Sequence, residues 1–167
     1  MSKLLGCLTF ALALLASNVR AEAADLYFGI GVADGGVDVP NGPDRSLGTV
    51  NATLGLQLLG FLGLELELGA ASDQTDSLLG EPLVSYQAAM LRLGHRWDRT
   101  GVYLLGGQAR LEVDDSLNHT DAGLVFGAGL NLFGNETTAL NVHVLDFDDG
   151  AFTTATIGFQ YYFGGFR

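Results

Sequence analysis

The chain has 167 residues, a formal net charge of −11, and 48% hydrophobic residues. This length fits one domain with a sizeable core, and the acidic balance argues against nucleic acid as a partner because phosphates require a basic surface. No apolar run reaches the about 18 residues that a spanning helix needs, which argues against an α-helical membrane protein.

The N-terminus is typical of a secretory leader. Lys3 precedes an apolar segment at residues 4–16, LLGCLTFALALLA, which contains the only cysteine of the chain. Small residues then offer two cleavage sites, one after Ala21 and an alternative after Ala23. We predict a signal peptide over residues 1–21, so the mature chain has no thiol and no disulfide.

After the leader, alternating segments recur between turn residues and predict a barrel domain over residues 25–167. The predicted strands are 26–33, 47–58, 62–72, 84–97, 101–113, 121–133, 137–147 and 152–163. Tight turns at 59–61, 98–100 and 134–136 alternate with looser connections at 34–46, 73–82, 114–120 and 148–151. This alternation predicts an antiparallel up-and-down meander, with the tight turns at one end and the loops at the other.

The predicted strands have one bulky apolar face and one face of small and polar residues. The stretch LGLELELGA, residues 62–70, has leucine at every second position and glycine or glutamate between. In a soluble eight-stranded barrel the leucines would line a ligand cavity, and a periplasmic barrel of that kind is the alternative. However, a face of Gly, Thr, Asn and Gln solubilises poorly, and a closed eight-stranded barrel has little room inside. We therefore predict a closed, all-β, eight-stranded antiparallel transmembrane barrel with its apolar face, including Tyr103, Leu105 and Leu111, towards lipid.

Aromatic residues lie towards the predicted strand ends, where interfacial girdles occur in membrane barrels. They are Phe28, Trp97, Tyr103, Phe133, Phe147, Phe152, Tyr161 and Phe163. Ordinary sheet composition, which favours aromatic residues, is the alternative explanation.

Three features together resemble a known family: the opening LYFGIGVA (26–33), the glycine-rich amphipathic strands and the closing TIGFQYYF (156–163). They are similar to the small eight-stranded outer-membrane barrels of Gram-negative bacteria, the OmpA/OmpX-like β-barrel class. The resemblance implies an outer-membrane location, contact with outer-membrane lipid and lipopolysaccharide, and insertion by the barrel-assembly machinery. It also implies periplasmic tight turns and outward-facing loops, and we expect a monomer. Such barrels commonly end on an aromatic residue, whereas Phe163 is followed here by GGFR.

Charged residues on the predicted inner face form a candidate ion-pair network. They are Glu65, Glu67, Arg92, Arg96, Arg110 and Glu112. In a narrow interior such charges must pair, because an isolated buried charge costs several kcal/mol. Eight strands favour the interpretation that these pairs plug the barrel; a gated ion path through a narrow pore is the alternative.

The looser connections are acidic, which is typical of a solvated surface. Asp114, Asp115, Asp148 and Asp149 are candidates for weak binding of Ca²⁺ or Mg²⁺, although they lack a defined ligand spacing. We predict no confident metal site and no cofactor.

A lipid-modifying enzyme is the competing functional class. Such an enzyme requires a histidine within reach of a serine and an acid. His143 is the inward-facing candidate, but the segment NVHVLDF around it contains no serine. We predict no catalytic residue, and we expect a structural or surface-interaction role.

Overall fold

The computed structural model describes residues 24–37, 45–58, 61–73, 84–113, 119–147 and 152–163. Eight strands run through them: β1 Ala24–Val37, β2 Arg45–Leu58, β3 Leu62–Asp73, β4 Val84–Trp97, β5 Thr100–Val113, β6 His119–Phe133, β7 Thr138–Phe147 and β8 Phe152–Phe163. Among these residues no helix is long and apolar enough to cross a membrane. The predicted signal peptide, with its cleavage sites at Ala21 and Ala23, lies outside the described residues.

Each strand pairs with its neighbours in the chain, and β8 pairs with β1, so the sheet closes on itself. The register followed once around the barrel from Leu26 returns to β1 at Gly36, ten residues further along. This stagger tilts the strands by roughly 35–45° from the barrel axis. The predicted closed, eight-stranded, up-and-down barrel is confirmed.

The two ends of the barrel differ in the length of their connections. The connections at 59–61, 98–99 and 134–137 share one end, which we name the turn end. Both termini of the barrel lie there, since Leu26 pairs with Phe163. At the tight turn between β4 and β5, Asp98 has φ 47°, a left-handed conformation that Asp adopts more readily than most residues. We name the opposite end the loop end.

Outward-facing side chains form an apolar belt around the barrel. Leu68, Leu104 and Phe159 are typical, each with more than half of its surface exposed. The polar residues of the same strands, such as Glu65 and Glu67, are buried instead. Since the leucines face outward and the carboxylates inward, the arrangement is the inverse of a soluble protein, as predicted.

Strand β5 is an exception, because its orientation was predicted wrongly. Arg92 on β4 faces inward and pairs with Leu105, so Leu105 and its alternate neighbours Tyr103 and Leu111 also face inward and are buried. Arg110 and Glu112 therefore face outward. The error follows from the segment VYLLGG, in which leucines at 104 and 105 fit either face, and a shift by one residue exchanges every side chain between faces.

Half of the predicted aromatic girdle is also misplaced. Phe28, Trp97, Tyr161 and Phe163 face outward, and all four lie towards the turn end. The other four aromatic side chains are buried in the barrel interior: Tyr103, Phe133, Phe147 and Phe152. Sequence proximity to a strand end does not separate the two groups, because the direction of the side chain depends on the parity of its position.

Interior tyrosines explain part of the high glycine content. Three tyrosines each lie over a glycine directly opposite on the next strand: Tyr27 over Gly55, Tyr86 over Gly69 and Tyr103 over Gly129. A Cβ atom at any of these glycines would lie 1.9 to 2.3 Å from the tyrosine side chain. Only glycine therefore leaves room for an aromatic ring to cross the narrow interior.

Candidate functional site in the barrel interior

Buried side chains fill the barrel interior along its length, and they divide into two regions. The region towards the turn end, which we name the polar half, contains Tyr27, Asn51, Thr53, Gln57, Glu65, Glu67, Arg92, Asn131, Asn141, His143, Thr156, Gln160 and Tyr162. The region towards the loop end, which we name the apolar half, contains Leu47, Tyr86, Ala88, Met90, Leu105, Ala109, Leu111, Val125, Leu145, Phe147 and Phe152. The two regions meet near the middle of strands β3, β4 and β7.

A buried ion pair lies in the polar half. Arg92 Nη1 donates to Glu65 Oε2 at 2.9 Å, with side-chain exposures of 6% and 1%. Tyr27 donates its hydroxyl to the same carboxylate oxygen and accepts from Arg92 Nη1 at 2.9 Å. The Arg92 guanidinium also lies 3.6 Å from the centroid of the Tyr103 ring, a cation–π contact. The pair thus has two tyrosine partners, from β1 and β5, which offset part of the cost of removing both charges from water.

The Glu67 carboxylate accepts its hydrogen bonds from neutral side chains, in contrast to Glu65. Its Oε1 accepts from Asn51 Nδ2 at 3.0 Å and from the Tyr86 hydroxyl at 2.8 Å, and its Oε2 accepts from Thr53 Oγ1 at 3.3 Å. His143 Nε2 lies 3.3 Å from Oε2, an ion-pair distance without the alignment of a hydrogen bond. Because donors surround both oxygens, this carboxylate is solvated by protein groups instead of water.

A chain of amide groups continues from His143 towards the turn end. Asn141 Oδ1 lies 2.7 Å from His143 Nδ1, and Asn141 Nδ2 donates to Asn131 Oδ1 at 2.6 Å and to the Tyr103 hydroxyl. Asn131 Nδ2 then donates to the Tyr162 hydroxyl at 2.8 Å and to Gln160 Oε1 at 3.0 Å. These bonds connect β5, β6, β7 and β8, so they fix the relative positions of strands that close the barrel.

Three aromatic rings pack together in the apolar half. The Tyr86 ring lies 4.9 Å from Phe147 and 6.0 Å from Phe152 between centroids, and the two phenylalanine rings are 5.5 Å apart. Each of the three side chains is at most 2% exposed. Tilted rings at these distances pack as in a protein core, so the three rings form a tightly packed cluster near the loop end.

The polar half ends in a small opening at the turn end. The Arg96 guanidinium lies 3.8 Å from the centroid of the Phe133 ring, and its Nε donates to the backbone oxygen of Asp98 at 2.8 Å. A cavity of about 20 Å³ lies between Arg92, Arg96 and Tyr162. This volume is enough for about one water molecule.

The structure brings only some of the predicted network residues together. Glu65 and Arg92 form a direct pair, Glu67 lies next to His143, and Arg96 lies at the turn end. The prediction that Arg110 and Glu112 join the network is wrong. Arg110 Nη2 and Glu112 Oε1 form a pair at 3.2 Å on the outer surface, where their side chains are 46% and 49% exposed.

The remaining candidates are placed as follows. The predicted cation-binding residues Asp114, Asp115, Asp148 and Asp149 lie outside the described residues. Within the described part of the chain, no group of three His, Cys, Asp or Glu residues is positioned to hold a metal ion.

Sequence reasoning placed Tyr27 and Tyr162 on the inner face, but it missed Tyr86 and Tyr103 there, and it missed the role of His143 as the neighbour of Glu67. A signal for Tyr86 and Tyr103 was present, since each of them lies opposite a glycine that also faces inward. No local pattern indicates the pairing of His143 with Glu67, because β7 and β3 are not adjacent in the sheet.

Comparison with known proteins agrees with this architecture. Residues 7–163 match the family described as outer membrane protein beta-barrel domain, so the chain belongs to this family. The protein is an outer-membrane β-barrel of a Gram-negative bacterium, in contact with membrane lipid through its apolar belt.

Solved structures with a similar fold include three from such bacteria. Ail of Yersinia pestis is 15% identical, with 84% of this chain and 99% of that chain covered and a TM-score of 0.59. Neisserial surface protein A is 11% identical, with 84% and 97% covered and a TM-score of 0.60. The N-terminal β-barrel domain of Pseudomonas aeruginosa OprF is 13% identical, with 82% and 97% covered and a TM-score of 0.59. At these identities the likeness concerns the fold alone, and no curated protein sequence matches the chain.

Proposed function

We propose that this protein is a closed, non-conducting barrel that serves the outer membrane as a structural and surface-contact protein. The observation that carries the proposal is the burial of interior side chains in both halves, from Tyr162 at the turn end to Phe152 at the loop end. Ions that cross such an interior must leave water and pass between packed aromatic rings, which costs several kcal/mol or more per charge. The polar half alone would not exclude ions as strongly as the apolar half does.

The narrow pore remains the competing proposal, and conductance distinguishes the two. In planar lipid bilayers we expect no steady single-channel current from the wild-type protein. Phe147→Ala combined with Phe152→Ala removes two of the three packed rings and should allow small currents. Arg99→Ala, a change of an exposed residue at a tight turn, is the matched control. Steady wild-type currents of uniform size would overturn the closed-barrel proposal.

The non-enzymatic role is part of the same proposal. His143 is 3% exposed, and its ring nitrogens face Asn141 and Glu67, with no serine among its described partners. A lipid substrate in the membrane has no contact with this side chain. We expect lipid A incubated with the protein to remain unchanged; a product that is formed by the wild-type protein and lost with His143→Ala would instead favour the enzyme.

We propose that the four connections at the loop end lie outside the cell and make the surface contacts. Residues 38–44, 74–83, 114–118 and 148–151 contain eight acidic residues and no lysine or arginine. The Ail structure has also been solved in complex with the heparin analogue sucrose octasulfate. The acidic loops of this chain would repel such a polyanion, so we propose that they contact cations, including Ca²⁺ or Mg²⁺ at Asp114, Asp115, Asp148 and Asp149.

Calorimetric titration with Ca²⁺ tests the loop proposal. We expect weak binding, with dissociation constants of about 10⁻⁴ to 10⁻³ M, as in extracellular calcium modules. Changing the four aspartates to asparagine should remove the signal. If this fourfold variant titrates like the wild-type protein, these residues are not the ligands.

We further propose that the barrel is monomeric, is inserted by the barrel-assembly machinery and contacts lipopolysaccharide.

A further inference from the structure

A polar patch interrupts the outer surface of the barrel on strands β4 and β5. It consists of Ser85, Gln87, Gln108, Arg110 and Glu112. Gln87 lies directly opposite Arg110 across the strand pair, and Ser85 lies opposite Glu112. Since the four longer side chains are all exposed, the patch is a continuous polar area at the loop-end margin of the apolar belt.

The position of the patch in the membrane follows from the neighbouring strand. Gln108 pairs with Leu124 of β6, whose side chain is 55% exposed and belongs to the apolar belt. Gln87 pairs with Leu68 of β3, which is 57% exposed, so the lower edge of the patch borders the apolar belt on both sides. Arg110 lies two residues further towards the loop end, at the margin of the apolar belt. Its long side chain can extend away from the hydrocarbon.

The polar groups of the patch are incompletely satisfied by the protein. Arg110 uses one terminal nitrogen for Glu112 at 3.2 Å, and a guanidinium has five N–H donors. Gln87 and Gln108 both have exposed side chains, so their amide groups are open to the surroundings of the barrel. An exposed ion pair of this kind contributes little stability by itself. The patch thus presents one cation and two amides, all directed outward, at a membrane boundary.

We propose that this patch binds the phosphorylated sugar headgroup of an outer-leaflet glycolipid of the lipid A type. The Arg110 guanidinium is suited to contact a phosphate group through two parallel hydrogen bonds. Gln87 and Gln108 are placed on either side of it to bond with sugar hydroxyls or phosphate oxygens. The inference rests on the orientation proposed above, with the loop end outward, and it assigns the lipopolysaccharide contact to named residues.

Glu112 makes the proposal more specific. Its carboxylate competes with a bound phosphate for the Arg110 donors and repels it, because both groups are negatively charged. Removing this charge should therefore strengthen headgroup binding, whereas removing the Arg110 charge should weaken it. If the patch does not bind the headgroup, neither substitution should change the retention of lipid A.

Native mass spectrometry of the full mature chain in detergent, with lipid A added, tests the proposal. We expect the wild-type protein to retain bisphosphorylated lipid A, and Arg110→Gln to retain it about tenfold less, because a hydrogen bond to a charged group is lost. Glu112→Gln should retain more lipid A than the wild-type protein does. Arg99→Gln, which removes an exposed arginine at the turn end, is the matched control and should not change retention.

Two control lipids test whether the patch recognises the phosphate, the sugar or both. Dephosphorylated lipid A should be retained weakly, as should phosphatidylglycerol, which has a phosphate but no sugar. Equal retention by Arg110→Gln and the wild-type protein would overturn the site, and equal retention of either control lipid would overturn the assigned headgroup. All variants are first checked for the shift in gel mobility on boiling that a folded barrel shows. Since conductance does not depend on Arg110, a failure here leaves the closed-barrel proposal intact.

Discussion

The two halves of the barrel interior are filled by different kinds of side chain: hydrogen-bonded polar groups in one half and packed apolar groups in the other. In the polar half, Glu65 and Glu67 are buried and accept hydrogen bonds from side chains on neighbouring strands. In the apolar half, Phe147 and Phe152 fill the interior by ring packing. Directional bonds specify which strand faces which, since each requires one partner at one distance. Packing excludes water and ions but tolerates changes of similar volume more easily.

This difference predicts how each half responds to mutation. A defect in the polar half arises from an unpaired group, so a second substitution that removes the partner should restore stability. A defect in the apolar half arises from lost volume, so a second truncation should add to the first. The predictions below use the free energy of unfolding in urea in lipid vesicles. Trp97, the only tryptophan, is a built-in fluorescence reporter.

The largest effect is expected from Arg92→Ala. The change leaves the Glu65 carboxylate buried without its cation, and breaking a buried pair in this way costs about 3 to 5 kcal/mol. Combining Arg92→Met with Glu65→Gln removes both charges and should recover most of the loss. Arg99→Ala is the control, with an expected change within about 0.5 kcal/mol. If Arg92→Ala and Arg99→Ala unfold at the same urea concentration, the Arg92–Glu65 ion pair does not stabilise the folded barrel.

Phe147→Ala should cost nearly as much, about 3 kcal/mol, because it removes a fully buried ring and leaves a cavity. Phe147→Leu should cost less, since it keeps most of the volume. Adding Phe152→Ala should increase the loss, in contrast to the rescue expected in the polar half. Recovery of stability in the double variant would show that the apolar half does not behave as a packed core.

Tyr86→Phe tests the junction of the two halves. The Tyr86 ring packs on Phe147 while its hydroxyl donates to Glu67. Loss of a hydrogen bond to a charged group should cost about 1.5 to 3 kcal/mol, with the ring packing retained. Tyr103→Phe is the matched comparison, because that hydroxyl accepts from the neutral amide of Asn141, and its loss should cost about 1 kcal/mol. Equal losses would indicate that the charge of Glu67 does not strengthen its hydrogen bonds.

The smallest effect is expected outside both halves, at Arg110→Ala. The Arg110–Glu112 pair is about half exposed, and such pairs contribute about 0 to 1 kcal/mol. Urea unfolding in vesicles without lipid A should therefore be almost unchanged. A loss comparable to that of Arg92→Ala would place Arg110 in the structural network from which the barrel geometry excludes it.

Much of the architecture could be predicted from sequence patterns. Alternation in segments such as LGLELELGA and the short turns between them led to eight strands in the correct order. Most faces were also predicted correctly, because a run of leucines at every second position has only one consistent orientation. The failure on β5 occurred where adjacent leucines made both orientations equally consistent.

The sequence by itself determined the strand number, the order, the inverted polarity and the presence of interior charges. These properties follow from local periodicity, which each strand carries independently of the others. Only the tertiary structure decided that Glu65 pairs with Arg92, that Glu67 lies beside His143, and that Arg110 faces outward. Those contacts depend on the ten-residue stagger of the closed barrel and on the orientation of β5. The physical reason is that closure brings together residues from strands that are distant in the chain, and no local pattern encodes their height along the barrel axis.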